Sequence, residues 1–207
     1  MRNKINKIFT GIGVKSIDSF LPGYIQKKKI IVFVPLEFTD KLTFDMAQAG
    51  AGLIGNYELC SFRMKGLGTY KPNAFAKPFK GKNNSISFEE EVRLEMECSE
   101  EKLDSIIDAM LESHPYEEVA YEIYNFSKRS NKPAGYLVEL QRKIPVSKLI
   151  STIQKNLKLS NIDSLKSIKK IAVIEKEIEN HIISKARESG CDAVLSINKF
   201  STILKII

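Results

Sequence analysis

At 207 residues, with 43% hydrophobic and 28% charged side chains, the chain has globular composition and length for one large domain or two small ones. No run of about 18 apolar residues occurs, which argues against a membrane-spanning helix. The basic opening Met1-Arg2-Asn3-Lys4 leads into a stretch broken by Asn6, Lys7, Gly11 and Gly13, so no secretory leader is read and a cytoplasmic location is expected.

The net charge of +7 is unevenly divided. Residues 1–29 carry seven bases and one acid, residues 30–126 nine bases and seventeen acids, and residues 127–207 sixteen bases and seven acids. An acidic middle between basic flanks implies separate structural units. The basic excess is mostly lysine without interleaved aromatics, so nucleic acid is not the expected partner. Cys60, Cys98 and Cys191 form no C-x-x-C pair and read as small buried hydrophobes rather than disulfides or zinc ligands.

Residues 1–29 read as a loosely structured lead-in, punctuated at Thr10-Gly11-Ile12-Gly13 and Leu21-Pro22-Gly23 and closing on a solvated Lys27-Lys28-Lys29 run. Ile30 to Val34 is a continuous β-branched run, a buried strand stopped by Pro35. Thr39 or Asp40 can cap the helix that follows. Its apolar stripe is Phe38, Leu42, Met46 and Ala49, and Gly50 and Gly52 stop it. Tyr57 to Arg63 reads as a second strand, and residues 64–87 as loop around a short Thr69-Tyr70 extension.

Val92, Leu94, Met96 and Cys98 alternate with Glu91, Arg93, Glu95 and Glu97, a strand with one core face. Ser99 is placed to cap a helix striped by Leu103, Ile106, Ile107, Met110 and Leu111 and ended by His114-Pro115. Val119, Tyr121 and Ile123 alternate in a last strand. The predicted fold class is therefore α+β: a ferredoxin-like β-α-β-β-α-β domain over residues 30–126. A linker at 127–135 precedes a small α/β domain over 134–207, with strands at Tyr136–Leu140, Ile171–Ile174 and Ala193–Ile197. Its helices start after Pro145 and run around Ile178, Ile182 and Ala186 to Gly190.

Two segments carry a family resemblance: Ala49 through Phe62 (AGAGLIGNYELCSF) with Gly66-Leu67-Gly68-Thr69-Tyr70-Lys71-Pro72, and His114-Pro115-Tyr116-Glu117-Glu118-Val119-Ala120-Tyr121. They resemble the insert domain of the Nif-three-like, dinuclear-metal-centre family, the GTP cyclohydrolase-type homologs. That insert is itself similar to the trimeric PII and CutA (divalent-cation tolerance) proteins. Ala134 to Leu140, Ile171-Ala172-Val173 and Cys191 to Ser196 resemble, more faintly, the second half of that family's metal-cleft domain.

The departures are specific. Only about 29 residues precede the insert, where the resemblance implies a long first half with a His-His-Pro metal motif. Ile174-Glu175-Lys176-Glu177 stands where the family has a glycine-serine-glycine turn, and Ser196-Ile197-Asn198 where it has threonine-glycine-aspartate. The family's late His and Glu ligands are expected beyond Ile207. A dinuclear site needs several converging ligands, and the chain has two histidines, His114 and His181, in different regions.

Two clusters are weighed as sites. His114 with Glu117 and Glu118 could hold a divalent cation; against it, His114 can serve the helix C-terminus, and two adjacent glutamates in a strand point to opposite faces. Gly50, Gly52, Gly55 and Asn56 could present backbone N–H groups to a ligand; against it, they can form a tight connection in which glycine supplies positive φ. No catalytic constellation and no certain cofactor is read.

The leading expectation is a non-catalytic, self-associating protein, trimeric as the resemblance implies, that binds a small molecule, cation or protein. One alternative is a metal-dependent hydrolase acting on nucleotides, with its site completed at a subunit interface. Another is a nucleic-acid or transcription-factor partner acting through the basic C-terminal helices.

Overall fold

The computed structural model describes residues 2–153, 157–160, 166–198 and 202–207. The chain divides into two compact units, one of residues 25–128 and one of residues 1–24 with 129–207.

The unit of residues 25–128 is built on a four-stranded sheet of β2 (Tyr24–Pro35), β3 (Ser61–Tyr70), β4 (Ser87–Cys98) and β5 (Tyr121–Arg129), in the order β3-β4-β2-β5. Helices α2 (Thr39–Gln48) and α3 (Leu103–Ser113) connect the strands in the split β-α-β order. This is the α+β, ferredoxin-like arrangement the alternating runs imply. Val92, Leu94 and Met96 of β4 lie opposite Val34, Val32 and Ile30 of β2, and with Leu42, Met46, Ile106 and Met110 they form the core. Side chains of opposite parity, among them Phe33, Glu91, Arg93 and Glu95, occupy the open face of the sheet.

Several boundaries differ from expectation, each for a tertiary reason. β2 begins at Tyr24, and Lys27-Lys28-Lys29 lie inside it rather than ahead of it. Lys28 and Lys29 pair with Glu100 and Glu95 at 3.0 and 3.2 Å, and Lys27 lies 4.0 Å from Glu97. Residues 64–70 are strand, not loop, because β3 stays in antiparallel register with β4 from Ser61↔Met96 to Tyr70↔Ser87. Tyr57 lies outside β3, in a turn closed by reciprocal Ile54–Tyr57 backbone bonds of 2.9 and 3.0 Å. Neither Thr39, Asp40 nor Ser99 provides a side-chain cap; a turn of 3-10 helix, Leu36–Phe38 or Glu100–Lys102, leads into each helix instead.

The other unit carries a six-stranded sheet in the order β1-β6-β8-β9-β10-β7. Its strands are β1 (Val14–Phe20), β6 (Gly135–Pro145), β7 (Leu157–Ser160), β8 (Ser167–Ile174), β9 (Ala193–Ile197) and β10 (Thr202–Ile206). The expected parallel pairing occurs between β8 and β9 and between β10 and β7. Ile171 to Ile174 is apolar throughout because both faces are covered. Ile171 and Val173 pack in one cluster with residues of α1 (Arg2–Ile8) and α4 (Val146–Ile153). Ala172 and Ile174 pack in another with residues of α5 (Asn180–Glu188).

The first 24 residues are accordingly no loose lead-in. Ile5 of α1, with Phe9 and Ile12, is buried in the first cluster, and β1 pairs with β6 from Val14↔Leu140 to Phe20↔Gly135. A short amphipathic helix and an edge strand carry too little local periodicity to show before their partner strand, more than a hundred residues later, is placed. Cys98 and Cys191 are buried as expected, while Cys60 is half-buried. No helix among the described residues is long and apolar enough to cross a membrane.

Candidate functional site

Each residue group singled out from the sequence lies in or beside the unit's connections. Burial places His114 just past the last turn of α3, with Nε2 at 3.0 Å from the Phe33 carbonyl oxygen and Nδ1 accepting the Tyr116 N–H at 3.1 Å. These two bonds fix the neutral tautomer with its proton on Nε2 and occupy both ring nitrogens. Burial lowers its pKa below the ordinary 6.5, opposed in part by the Phe33 carbonyl.

Glu117 and Glu118 are not in a strand: they occupy a bend ahead of β5. Glu117 Oε1 accepts the Lys77 N–H at 2.7 Å and so fastens the 71–79 loop to this bend. Among the described residues no three His, Cys, Asp or Glu side chains gather closely enough to hold a metal ion, and the His114–Glu117–Glu118 grouping does not form. The strand assignment is what misled: it put the two glutamates on opposite faces, whereas the bend lets both line one pocket.

In the glycine segment, the N–H groups of Gly50, Ala51, Gly52 and Ile54 are spent within the fold. Gly50 donates to Ala47 O at 2.9 Å, Ala51 to Met46 O at 3.0 Å, Gly52 to Glu97 O at 2.8 Å and Ile54 to Tyr57 O at 2.9 Å. Gly50, Gly52 and Gly55 have φ of +115°, +70° and +60°, conformations that glycine adopts without strain. A Cβ on Gly52 would lie 2.7 Å from both Cys60 O and Met96 Cε. The stretch from Gly50 to Gly52 is a tight connection whose N–H groups are not available to a ligand, while Gly55 lies in open space.

What sequence reasoning missed is a pocket of about 440 Å³ on the open face of the four-stranded sheet. Its floor is Phe33 of β2, Gly68 and Tyr70 of β3 and Glu91 of β4; the Lys71–Phe79 loop and the Tyr116–Glu118 bend form its rim. Two hydrogen bonds from Asn83 Nδ2, to Ala74 O at 3.3 Å and Ala76 O at 3.1 Å, shape the loop, and Asn84 N–H donates to Pro72 O at 2.7 Å. Tyr116 is edge-on to His114 at 5.0 Å and tilted against Phe79 and Tyr70 at 6.3 and 6.4 Å.

The Tyr116 hydroxyl is buried and has no hydrogen-bond partner among the described residues. Burial and then the nearby Glu91 carboxylate push its pKa above the ordinary phenol range. The sequence contained one hint of this pocket, Gly68 beside Thr69 and Tyr70, where Glu91 approaches the backbone closely.

No protein-family model matches the sequence. The GTP cyclohydrolase 1 type 2 homolog of Halalkalibacterium halodurans is 31% identical over 191 residues, covering 89% of this chain and 51% of that protein. The Bacillus subtilis protein of the same name is 33% identical over 174 residues, covering 82% of this chain and 46% of that protein. The chain thus spans about half the length of the curated relatives it matches. The solved structure of a Bacillus cereus protein related to NIF3 aligns with 96% of this chain and 57% of its own, at 24% identity and a TM-score of 0.48.

Proposed function

This chain belongs to the Nif-three-like family of GTP cyclohydrolase 1 type 2 homologs, and from that premise we propose that it works by binding and self-association in the cytoplasm rather than by turnover at a dinuclear metal site. The state of His114 carries the reading. A reactive metal pair draws on several imidazole and carboxylate donors held with free lone pairs. Of the two histidines in the sequence, one has both nitrogens committed to backbone groups and the other, His181, sits exposed beside Glu179 at 3.3 Å.

Self-association is supported by the β3–β4 arm. Phe62, Met64, Leu67 and Phe88 expose roughly half or more of their surface there, at 59%, 50%, 65% and 63%. Phe62 and Met64 fall on the open face of the strand pair and Leu67 and Phe88 on the other, so both faces of the arm carry exposed apolar side chains, and β3 and β5 are edge strands with backbone groups open to pairing. The occupant we propose is a second and third copy of the same chain, as the resemblance to the trimeric PII and CutA proteins implies.

Light scattering at micromolar concentration, with metal analysis of the same sample, tests both halves. About three chains per particle and no tightly bound ion pair are expected; a stable monomer, or two tightly held ions per chain, would overturn the corresponding half. The second reading, a nucleotide hydrolase whose metal site is completed by another copy, is favoured by the name its relatives carry, and GTP turnover by metal-loaded pure protein would establish it.

A further inference from the structure

The open face of β4 presents four carboxylates, Glu89, Glu91, Glu95 and Glu97, alternating with the core side chains Val92, Leu94 and Met96. Three of them are neutralised. Glu97 receives Lys128 at 3.0 Å, Glu95 receives Lys29 at 3.2 Å and Arg93 at 3.0 Å, and Glu89 receives Lys80 at 2.7 Å. Glu91 forms no ion pair among the described residues, and of the four it is the one that lines the pocket. Its carboxylate rests over the bare Cα of Gly68, so a Cβ there would displace Glu91 Oε2 from its present position.

Beside Glu91 lies the buried Tyr116 hydroxyl, which makes no hydrogen bond of standard geometry among the described residues although the Glu91 carboxylate is close enough to raise its pKa. The remaining walls are the rings of Phe33, Tyr70 and Phe79, and the lining as a whole holds three glutamates against one lysine, Lys71. Such a surface repels phosphate and carboxylate ligands. It complements a positive charge through the carboxylate and through the face of Tyr70, whereas Lys80 and Arg93 already lie over the Phe79 and Phe33 rings at 5.8 and 5.9 Å. A bare metal ion is the poorer match, because no set of three donor side chains gathers among the described residues.

We propose that this pocket binds a small organic cation, an ammonium or guanidinium-like group on a flat or short apolar body. Glu91 is its counter-ion, Tyr116 Oη its second hydrogen-bond partner, and the Tyr70, Phe79 and Tyr116 rings its walls. The proposal rests on the binding half of the function given above; its pocket shares the open face of the β3–β4 arm with Phe62 and Met64, so the titration is read on the protein in whatever association state it holds.

The test is titration of the full-length protein at pH 7 with benzamidinium chloride, followed by calorimetry and by amide chemical shifts. Benzamide supplies the same shape without charge, and benzoate and inorganic phosphate the opposite charge. Benzamidinium is expected to bind saturably in the millimolar range, shifting the amides of Gly68, Glu91 and Tyr116. Benzamide should bind at least about tenfold more weakly, and benzoate and phosphate should not bind there.

Glu91→Gln should weaken benzamidinium binding about tenfold or more, and Tyr116→Phe severalfold, both in protein that melts as the parent does. Should Glu91→Gln not fold, Tyr116→Phe and the shift map of the parent protein decide. Benzoate or phosphate binding as tightly as benzamidinium, shifts that fall elsewhere, or unchanged affinity in a folded variant would each overturn the proposal. So would the absence of saturation by benzamidinium, phenethylammonium and agmatine up to about 20 mM, well above fragment affinities for a pocket of this size. None of these outcomes changes the particle mass or metal content that test the self-association and metal readings.

Discussion

His114 Nε2 and the carbonyl oxygen of Phe33 lie 3.0 Å apart, tying the residue after α3 to the C-terminal end of β2. The ring is buried and its pKa is lowered from 6.5 by that burial. The unfolded chain therefore binds the proton at higher pH than the folded chain, and stability must fall as pH drops through about 6.5 toward the lower folded value. Urea denaturation at pH 7.5 and pH 5 should show this loss, and His114→Gln should flatten the dependence. A variant with an unchanged pH profile would show that His114 is not the group responsible.

The ion pair between Lys128 and Glu97 links β5 to β4, with both carboxylate oxygens 3.0 Å from Nζ. The Glu97 side chain is only 10% exposed, whereas that of Lys128 is 37% exposed. Removing the cation leaves a poorly hydrated carboxylate with only Lys27, 4.0 Å away, to offset it. Lys128→Met should cost about 1–3 kcal/mol in chemical denaturation, less than a fully buried pair because water reaches Lys128. Glu97→Gln in the same background should recover part of the loss, since it removes the uncompensated charge.

Gly52 and Gly55 share a positive φ but not the same surroundings. A methyl on Gly52 meets Cys60 O and Met96 Cε at 2.7 Å, whereas at Gly55 nothing lies within 4 Å. Gly55→Ala should cost only the backbone term of about 1 kcal/mol, and Gly52→Ala clearly more, because the clash includes backbone. Equal melting-point losses in the two variants would contradict this account of the segment.

Ile5 is fully buried in the cluster that also holds Val138, Leu140 and Ile171. Ile5→Ala should destabilise the protein by about 2–5 kcal/mol, as cavity formation in a packed core does. A disordered leader would tolerate the change without effect, so calorimetric melting separates the two descriptions of the N-terminal residues.

Much of the fold was legible where one strand or helix carries its own period. Val92, Leu94 and Met96 are core because alternate residues of a strand share a face, and Leu42, Met46, Ile106 and Met110 because helical steps do. The N-terminal strand escaped notice because Val14 to Phe20 has a mixed burial pattern and earns its place only through pairing with Tyr136 to Leu140. The site escaped for a similar reason. His114, Glu117 and Glu118 are adjacent in sequence, yet the bend turns the histidine inward to Phe33 and leaves the glutamates lining the pocket beside Glu91 and Gly68.

The chain's own sequence determined which side chains are apolar, with what spacing, and where glycine releases the backbone; these are local properties, fixed by covalent geometry and burial preference. Only the tertiary structure decided which charges find partners. Lys29 meets Glu95 across 66 positions of sequence, and Lys128 meets Glu97 across 31. Strand pairing and sheet order set those distances, and they leave Glu91, of the four glutamates on that face of β4, without an ion pair among the described residues at an aromatic pocket.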